Sequence, residues 1–314
     1  MALGNANLGG KRACPMINRS VVVLASFVWL VFVNVSGQEV LLGVLEDNPG
    51  HYFGDANFRS VRVVFKKAGS DWLPFRSNCP DQDCLKTVTL DYPQEVNWTI
   101  AFDGRRVGQI TGRTPKEFKW YASVGQQDIT STGPIPTVGQ RLTEVFEGPP
   151  VFRPLVANSQ PYFKDPESWK PAKLSSDLTI LFRQQFRRRF PKLCRASKQD
   201  ETKLDVFPYR DEDVQPVKVY ASRKGWTLVR LHLDEAIHCN DVEAGFEMDD
   251  PWFVVDPKGS IKYLDSGLWL VDTGDYDDDG RSELLFAIIR DNRGGYELFY
   301  SDFEKRAVFE YSFH

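Results

Sequence analysis

The chain has 314 residues, with 39 basic and 43 acidic side chains and a net charge of −4. This acidic balance argues against nucleic acid and anionic lipid as partners, because both attract cationic proteins. Hydrophobic residues make up 42% and aromatic residues 13% of the chain, which excludes an intrinsically disordered protein and favours a packed globular one.

The first 37 residues have the pattern of a secretory signal peptide. Lys11, Arg12 and Arg19 precede an uncharged apolar run over 21–35, and two small residues follow at 36–37. The run is slightly shorter than the roughly 20 residues that a bilayer-spanning helix needs. We therefore expect an exported protein, periplasmic, cell-surface or secreted, with a retained N-terminal membrane anchor as the alternative.

Four cysteines follow the predicted signal peptide: Cys79, Cys84, Cys194 and Cys239. An even number of cysteines in an exported chain favours disulfides, and three pairings are possible. The local pair in SNCPDQDC can close a tight loop, which would leave the two later cysteines to pair with each other. A metal site is the less favoured interpretation, because the chain has no C-x-x-C spacing.

The remaining chain divides by composition into three parts. Residues 38–148 are predicted to form an N-terminal β-rich domain, in which Asp103-Gly104 lies between two alternating runs and predicts a hairpin. Residues 149–175 are rich in proline and aromatic residues and are predicted to be an extended connecting segment. Residues 176–314 are predicted to form a C-terminal β-rich domain.

One helix is predicted near 177–190. Apolar residues recur there every four positions, at Leu178, Phe182, Phe186 and Phe190. Pro191 follows and ends the predicted helix. The last three apolar runs of the chain predict adjacent antiparallel strands in a meander. The predicted fold class is therefore mainly β with antiparallel sheets, and the alternative is a two-domain β-sandwich-like protein.

The stretch GDYDDDGRSELLF, Gly274 to Phe286, concentrates negative charge between two apolar runs. Four carboxylates occupy positions one, three, five and nine of a loop: Asp275, Asp277, Asp279 and Glu283. Gly280 permits a sharp turn at position six, and the carbonyl of Arg281 at position seven can join the oxygens. An all-oxygen set of this kind suits Ca²⁺, which would cancel the mutual repulsion of the carboxylates. Asp272 can assist from the preceding strand, whereas Asp278 is expected to face solvent.

The loop is not an EF-hand, because position twelve is Phe286 rather than a glutamate and the following residues are strand-like. It resembles the calcium loop of FG-GAP and VCBS repeats, written G-D-x-D-x-D-G-x-x-[DE] and leading directly into a strand. The resemblance covers about forty residues, from Leu268 to the end of the chain. It implies a propeller-blade-like C-terminal meander in which those four carboxylates and the Arg281 carbonyl hold a structural Ca²⁺.

Two functions fit these features. The first is a calcium-binding, non-enzymatic binding or structural module, whose partner would be a protein or a glycan. The second is a secreted hydrolase, directed at a glycan or an ester, with a structural calcium site. The first is preferred because the chain has only four histidines, of which His51 is the most site-like, and it has no G-x-S-x-G or H-E-x-x-H motif.

Overall fold

The computed structural model describes residues 39–48, 58–139, 153–198, 203–239, 248–290 and 292–312. The predicted signal peptide lies outside these residues. The described residues from Glu39 onward belong to one compact unit. Among the described residues, no helix combines the length and the apolar character that crossing a bilayer requires.

The protein is mainly β, with antiparallel sheets, as predicted. The strands are, in chain order, β1 (Leu41–Asn48), β2 (Phe58–Ala68), β3 (Asp71–Pro74), β4 (Glu95–Phe102), β5 (Arg105–Arg113), β6 (Gln126–Ile129), β7 (Leu155–Asn158), β8 (Lys170–Pro171), β9 (Leu193–Ala196), β10 (Leu204–Phe207), β11 (Gln215–Ala221), β12 (Thr227–His232), β13 (Pro251–Val255), β14 (Ile261–Ser266), β15 (Leu268–Gly274), β16 (Glu283–Arg290), β17 (Arg293–Tyr300) and β18 (Lys305–Ser312).

The described residues contain two α-helices, α1 (Gln82–Val88) and α2 (Ser176–Arg189). The second is the predicted helix. Ser175 caps it by accepting a hydrogen bond from the N–H of Leu178 at 3.3 Å, and Phe182 and Phe186 on its apolar face are buried. The first was not predicted from the sequence, because seven residues are too few to show a helical period.

The first sheet contains β1 to β7 and its pairings close into a ring. β1 pairs with β2 and β7, β7 with β4, β4 with β5, β5 with β6, and β6 with β2, while β3 extends the sheet from β2. The predicted hairpin is the β4–β5 turn, where Asp103 and Gly104 have φ values of 50° and 68°. Two successive left-handed residues are typical of a type I′ turn, which matches the twist of the strands.

Two meanders follow in the second half of the chain. Strands β11 to β14 form one, with β8 added at the edge, and β15 to β18 form the other. The second is the predicted C-terminal meander. A separate two-stranded sheet pairs β9 with β10.

The C-terminal meander is buried on both faces. On one face, residues such as Leu285 and Leu298 join the core of the first sheet. On the other, Leu284, Phe286 and Phe299 pack against side chains of β12 to β14 such as Trp252. This two-sided burial explains why β16 reads as an almost continuous apolar run rather than an alternating one.

The segment 149–175 contributes to the fold in its described part. β7 is an internal strand of the first sheet, β8 is an edge strand of the five-stranded sheet, and Trp169 is buried in the core that β13 shares with the meander. These contacts place the segment inside the compact unit. The division of the chain into two domains stays a prediction.

Candidate functional site: the acidic loop between β15 and β16

The acidic loop connects the first two strands of the C-terminal meander, at residues 275–282. Its entry is tightly packed, because the ring of Phe163 lies against Gly274 and 5.8 Å from the ring of Tyr276. A Cβ atom at Gly274 would lie 2.8 Å from Cε2 of Phe163 and closer still to Cζ. Only glycine therefore allows the loop to begin this close to the aromatic ring.

Three of the predicted ligands come together in the fold. One carboxylate oxygen from each of Asp275, Asp277 and Glu283 lies within 4.8 Å of the others. Two oxygens on opposite sides of a calcium ion, each about 2.4 Å from it, would be separated by about the same distance. Asp275 is 1% exposed and Glu283 is 2% exposed, so their charge is poorly hydrated.

The loop backbone positions two of these carboxylates through hydrogen bonds. Asp275 accepts from the N–H of Asp279 at 3.0 Å and from the N–H of Gly280 at 2.9 Å. Glu283 accepts from the N–H of Tyr276 at 2.8 Å. Gly280 has a φ of 83°, in the left-handed region that glycine adopts readily, and this allows the chain to turn back towards Asp275.

The other acidic residues of the region have different surroundings. Asp279 is exposed, and its carboxylate accepts from the N–H of Arg281 at 2.8 Å. Asp278 is exposed, as expected. Asp272 is buried, and both of its oxygens accept from the N–H of Asp103 in the β4–β5 turn, at 3.0 and 3.2 Å. The roles predicted for Asp279 and for the Arg281 carbonyl as ligands stay predictions.

Two lysines that are distant from the acidic loop in the sequence supply positive charge there. The ammonium of Lys67, on β2, forms an ion pair with Asp277. The ammonium of Lys164 lies 3.5 Å from Asp275 and also pairs with Asp278. No local pattern connects these lysines to the acidic loop, because they reach it only through the packing of the sheets.

Burial dominates the electrostatics of the loop. It raises the pKa of the Glu283 carboxyl well above its usual value, and the nearby carboxylates of Asp277, Asp279 and Asp275 raise it further. Burial also raises the pKa of Asp275, although its hydrogen bonds and Lys164 act in the opposite direction. The two lysines thus leave the buried carboxylates incompletely compensated.

The segment that contains Asp165 holds the loop from outside. The N–H of Asp275 donates to the carbonyl of Lys164 at 2.8 Å, and the Ser282 hydroxyl donates to Asp165 at 2.5 Å. The Thr273 hydroxyl donates to the second oxygen of the same carboxylate at 3.2 Å. Both ends of the acidic loop are therefore attached to one short segment of the chain.

The four cysteines form two pairs at disulfide distance. Cys79 pairs with Cys84, just before and within α1, and Cys194 pairs with Cys239. This is one of the three pairings that the sequence left open, and such cysteine pairs are typical of proteins in oxidising compartments.

Comparisons of the chain with protein-family models, with curated proteins and with solved structures found no match. The resemblance to FG-GAP and VCBS calcium loops therefore depends on the residues of the acidic loop alone and stays a prediction.

Proposed function

We propose that this is an exported calcium-binding β-rich protein that acts as a non-enzymatic binding or structural module. The ion would bind at Asp275, Asp277 and Glu283, with Asp279 and the Arg281 carbonyl as further ligands, as in an FG-GAP or VCBS repeat. The observation that carries the proposal is the approach of three carboxylates to within 4.8 Å in a poorly hydrated place. A divalent cation would offset the mutual repulsion of these carboxylates, which their burial strengthens.

The role of the ion would be to rigidify the loop and the contacts around it. The loop joins two strands of the C-terminal meander and is attached to the segment near Asp165. Lys67 would have to leave Asp277 when calcium binds. Its ammonium already lies 5.2 Å from the centre of the Trp72 ring and 5.9 Å from that of Tyr300, so the aromatic faces can retain it.

Calcium titration of the purified protein tests the proposal, with thermal and chemical unfolding in calcium and in EGTA. Extracellular calcium modules commonly bind with a Kd of about 10⁻⁴–10⁻³ M, so ~10 mM calcium is expected to stabilise the fold by about 1.4–2.7 kcal/mol. Glu283→Gln removes a buried ligand while keeping its volume, and it is expected to abolish this stabilisation. Asp278→Asn is the matched control, because Asp278 is exposed, and it is expected to retain the calcium effect.

Two results would contradict the calcium site. One is that the calcium titration shows no heat of binding and that added calcium does not change the stability measured by unfolding. The other is a calcium effect of equal size in the Glu283→Gln variant and the wild type. Because Gln carries no charge, the variant is expected to fold in EGTA, so a loss of calcium binding is not confused with unfolding.

A secreted hydrolase is the second candidate, and one observation favours it. Nδ1 of His232 lies 2.7 Å from Oδ1 of Asp250, the arrangement by which a carboxylate orients a catalytic imidazole. Asp250 also pairs with Arg230 at 2.7 Å, and Nε2 of His232 lies 3.9 Å from the exposed Asp234. The imidazole is thus placed among acidic groups, and His51 lies outside the described residues. Turnover of ester or glycoside substrates that is lost in His232→Ala would favour the hydrolase.

A further inference from the structure

A cavity of about 520 Å³ lies on the far side of the C-terminal meander from the first sheet. Its walls come from the end of α2, from β14 and from the β17–β18 turn together with the strand residues that flank it. Both β14 and β18 are edge strands of their sheets, so the cavity lies where two sheet edges approach each other. Its volume falls in the range of small-molecule sites, roughly 300–1,000 Å³.

Positive charge predominates in the lining, in contrast to the chain as a whole, whose net charge is −4. The cavity is lined by four cations, Arg189, Lys262, Lys305 and Arg306, and by two carboxylates, Asp265 and Glu304.

Two of the four cations already have carboxylate partners in the fold. Lys305 pairs with Asp71 at 2.6 Å, and Arg306 pairs with Glu297 at 3.1 Å. Within the part of the chain that the structure describes, Arg189 and Lys262 form no ion pair with a carboxylate. These two residues are the cations available to a ligand.

The two available cations are held in place by other contacts. The guanidinium of Arg189 lies 4.7 Å from the centre of the Tyr263 ring, and Lys262 donates a hydrogen bond to the carbonyl of Phe303 at 2.5 Å. Pre-positioned cations lose less conformational freedom when a ligand binds than free ones do.

The turn that accepts this hydrogen bond has an unusual backbone. Three successive residues, Ser301, Asp302 and Phe303, have φ values of 52°, 57° and 64°. Left-handed conformations are unfavourable for residues with a side chain, and strain of this kind is concentrated at ligand-binding and catalytic sites. Packing maintains the turn, since the buried Phe303 ring lies 5.1 Å from the Trp226 ring and 6.0 Å from the Trp169 ring.

We propose that this cavity binds a small organic polyanion, a molecule with at least two phosphate, sulfate or carboxylate groups. Guanidinium and ammonium groups form charge-assisted hydrogen bonds with such oxyanions. The inference deepens the proposed function, because it treats the protein as a binding module, but it does not require calcium. Its connection to the acidic loop is the ion pair of Arg281 with Asp302, at 3.2 Å.

Calorimetric titration with defined probes tests the proposal. Sucrose octasulfate, inositol hexakisphosphate and citrate represent the three oxyanions, and unmodified sucrose is the neutral control. The experiments are made in EGTA, since polyanions bind calcium. At least one polyanion is expected to bind at a single site, with an affinity that falls as the ionic strength rises, and sucrose is expected not to bind.

Matched substitutions locate the site. Arg189→Gln and Lys262→Gln are each expected to weaken binding about tenfold, the cost of losing one charge-assisted hydrogen bond. Arg188→Gln and Lys258→Gln remove the same charges from exposed neighbouring positions that do not line the cavity, and they are expected to leave the affinity within about twofold of the wild type.

Three results would overturn the proposal: no binding of any polyanion, equal binding of sucrose, or an equal loss of affinity in the control and the cavity variants. The last would mean that the anions respond to overall charge only. Glu283→Gln separates this proposal from the calcium site, since it is expected to lose calcium binding and to retain the polyanion.

Discussion

The carboxyl of Asp272 is expected to make the stability of the protein depend on pH. It lies under the β4–β5 turn, where burial raises its pKa from 3.8 to about 7. The N–H groups of Thr273 and Asp103 and the charge of Arg153 act against this increase, and the carboxylate of Asp103 acts with it. The hydrogen bonds to the carboxylate therefore do not compensate for its loss of hydration.

The sign follows from proton binding. Between pH 4 and 7 the folded protein keeps a proton on Asp272 that the unfolded chain has released, so the free energy of unfolding decreases as the pH rises. One pKa unit corresponds to about 1.4 kcal/mol, and a rise from 3.8 to about 7 thus corresponds to a decrease on the order of 4 kcal/mol between pH 4 and pH 8. The contribution of Asp272 to the free energy of unfolding is therefore fully present below about pH 4 and is lost as the pH rises towards about 7.

The substitution Asp272→Asn removes the titration but keeps the size of the side chain. Urea unfolding followed by tryptophan fluorescence, at several pH values between 4 and 8 and in EGTA, gives the free energy of unfolding of both proteins. The free energy of unfolding of the variant, relative to that of the wild type, is expected to increase by roughly 4 kcal/mol as the pH rises across this range. Any loss of hydrogen bonding to the new amide is the same at each pH and does not alter the slope.

Parallel pH profiles for the wild type and Asp272→Asn would refute the reasoning, because the slope would then come from other groups. Glu297 is one such group, since burial raises its pKa to about 7 as well. Asp83→Asn, which changes a carboxylate whose side chain is 91% exposed, is the control and is expected to follow the wild-type profile.

Two further predictions concern packing and covalent links. Gly274→Ala places a methyl group against Phe163 and is expected to lower the free energy of unfolding by about 1–3 kcal/mol in chemical unfolding. Gly133→Ala is the control and is expected to have little effect, because no atom lies within 4 Å of the added Cβ. Equal losses in the two variants would contradict the packing argument. A disulfide that closes a longer loop restricts the unfolded chain more, so its removal is expected to cost more stability. Replacing both cysteines by alanine is expected to lower the free energy of unfolding by about 4 kcal/mol for Cys194–Cys239, which are 45 residues apart, and by about 2 kcal/mol for Cys79–Cys84, which are five apart. The reverse order would contradict this argument.

Features that depend on neighbouring residues were predictable from the sequence. The period of four in α2 is visible because one turn of helix brings these residues to the same face. The β4–β5 hairpin was predictable because Asp103 and Gly104 accept left-handed backbone angles. The approach of Asp275 and Asp277 was predictable for a related reason, since alternate residues before a glycine turn point to the same side, whereas Glu283 joins them from the first position of β16.

Features that depend on distant parts of the chain were not predictable in this way. Lys67 reaches Asp277 because β2 and the meander share a core, and Asp272 faces the β4–β5 turn instead of the acidic loop. The sequence predicts only an extended connecting segment around Asp165, yet this segment holds both ends of the acidic loop. No pattern in these segments alone specifies their partners.

The sequence by itself determined the β-rich class, α2 and the clustering of acidic side chains, because each follows from local periodicity, turn chemistry or spacing. Only the tertiary structure decided how deeply the carboxylates are buried, which lysines face them and that four cations surround a cavity between two sheet edges. Burial and long-range electrostatics arise from the packing of whole sheets, and packing depends on side chains that are far apart in the chain.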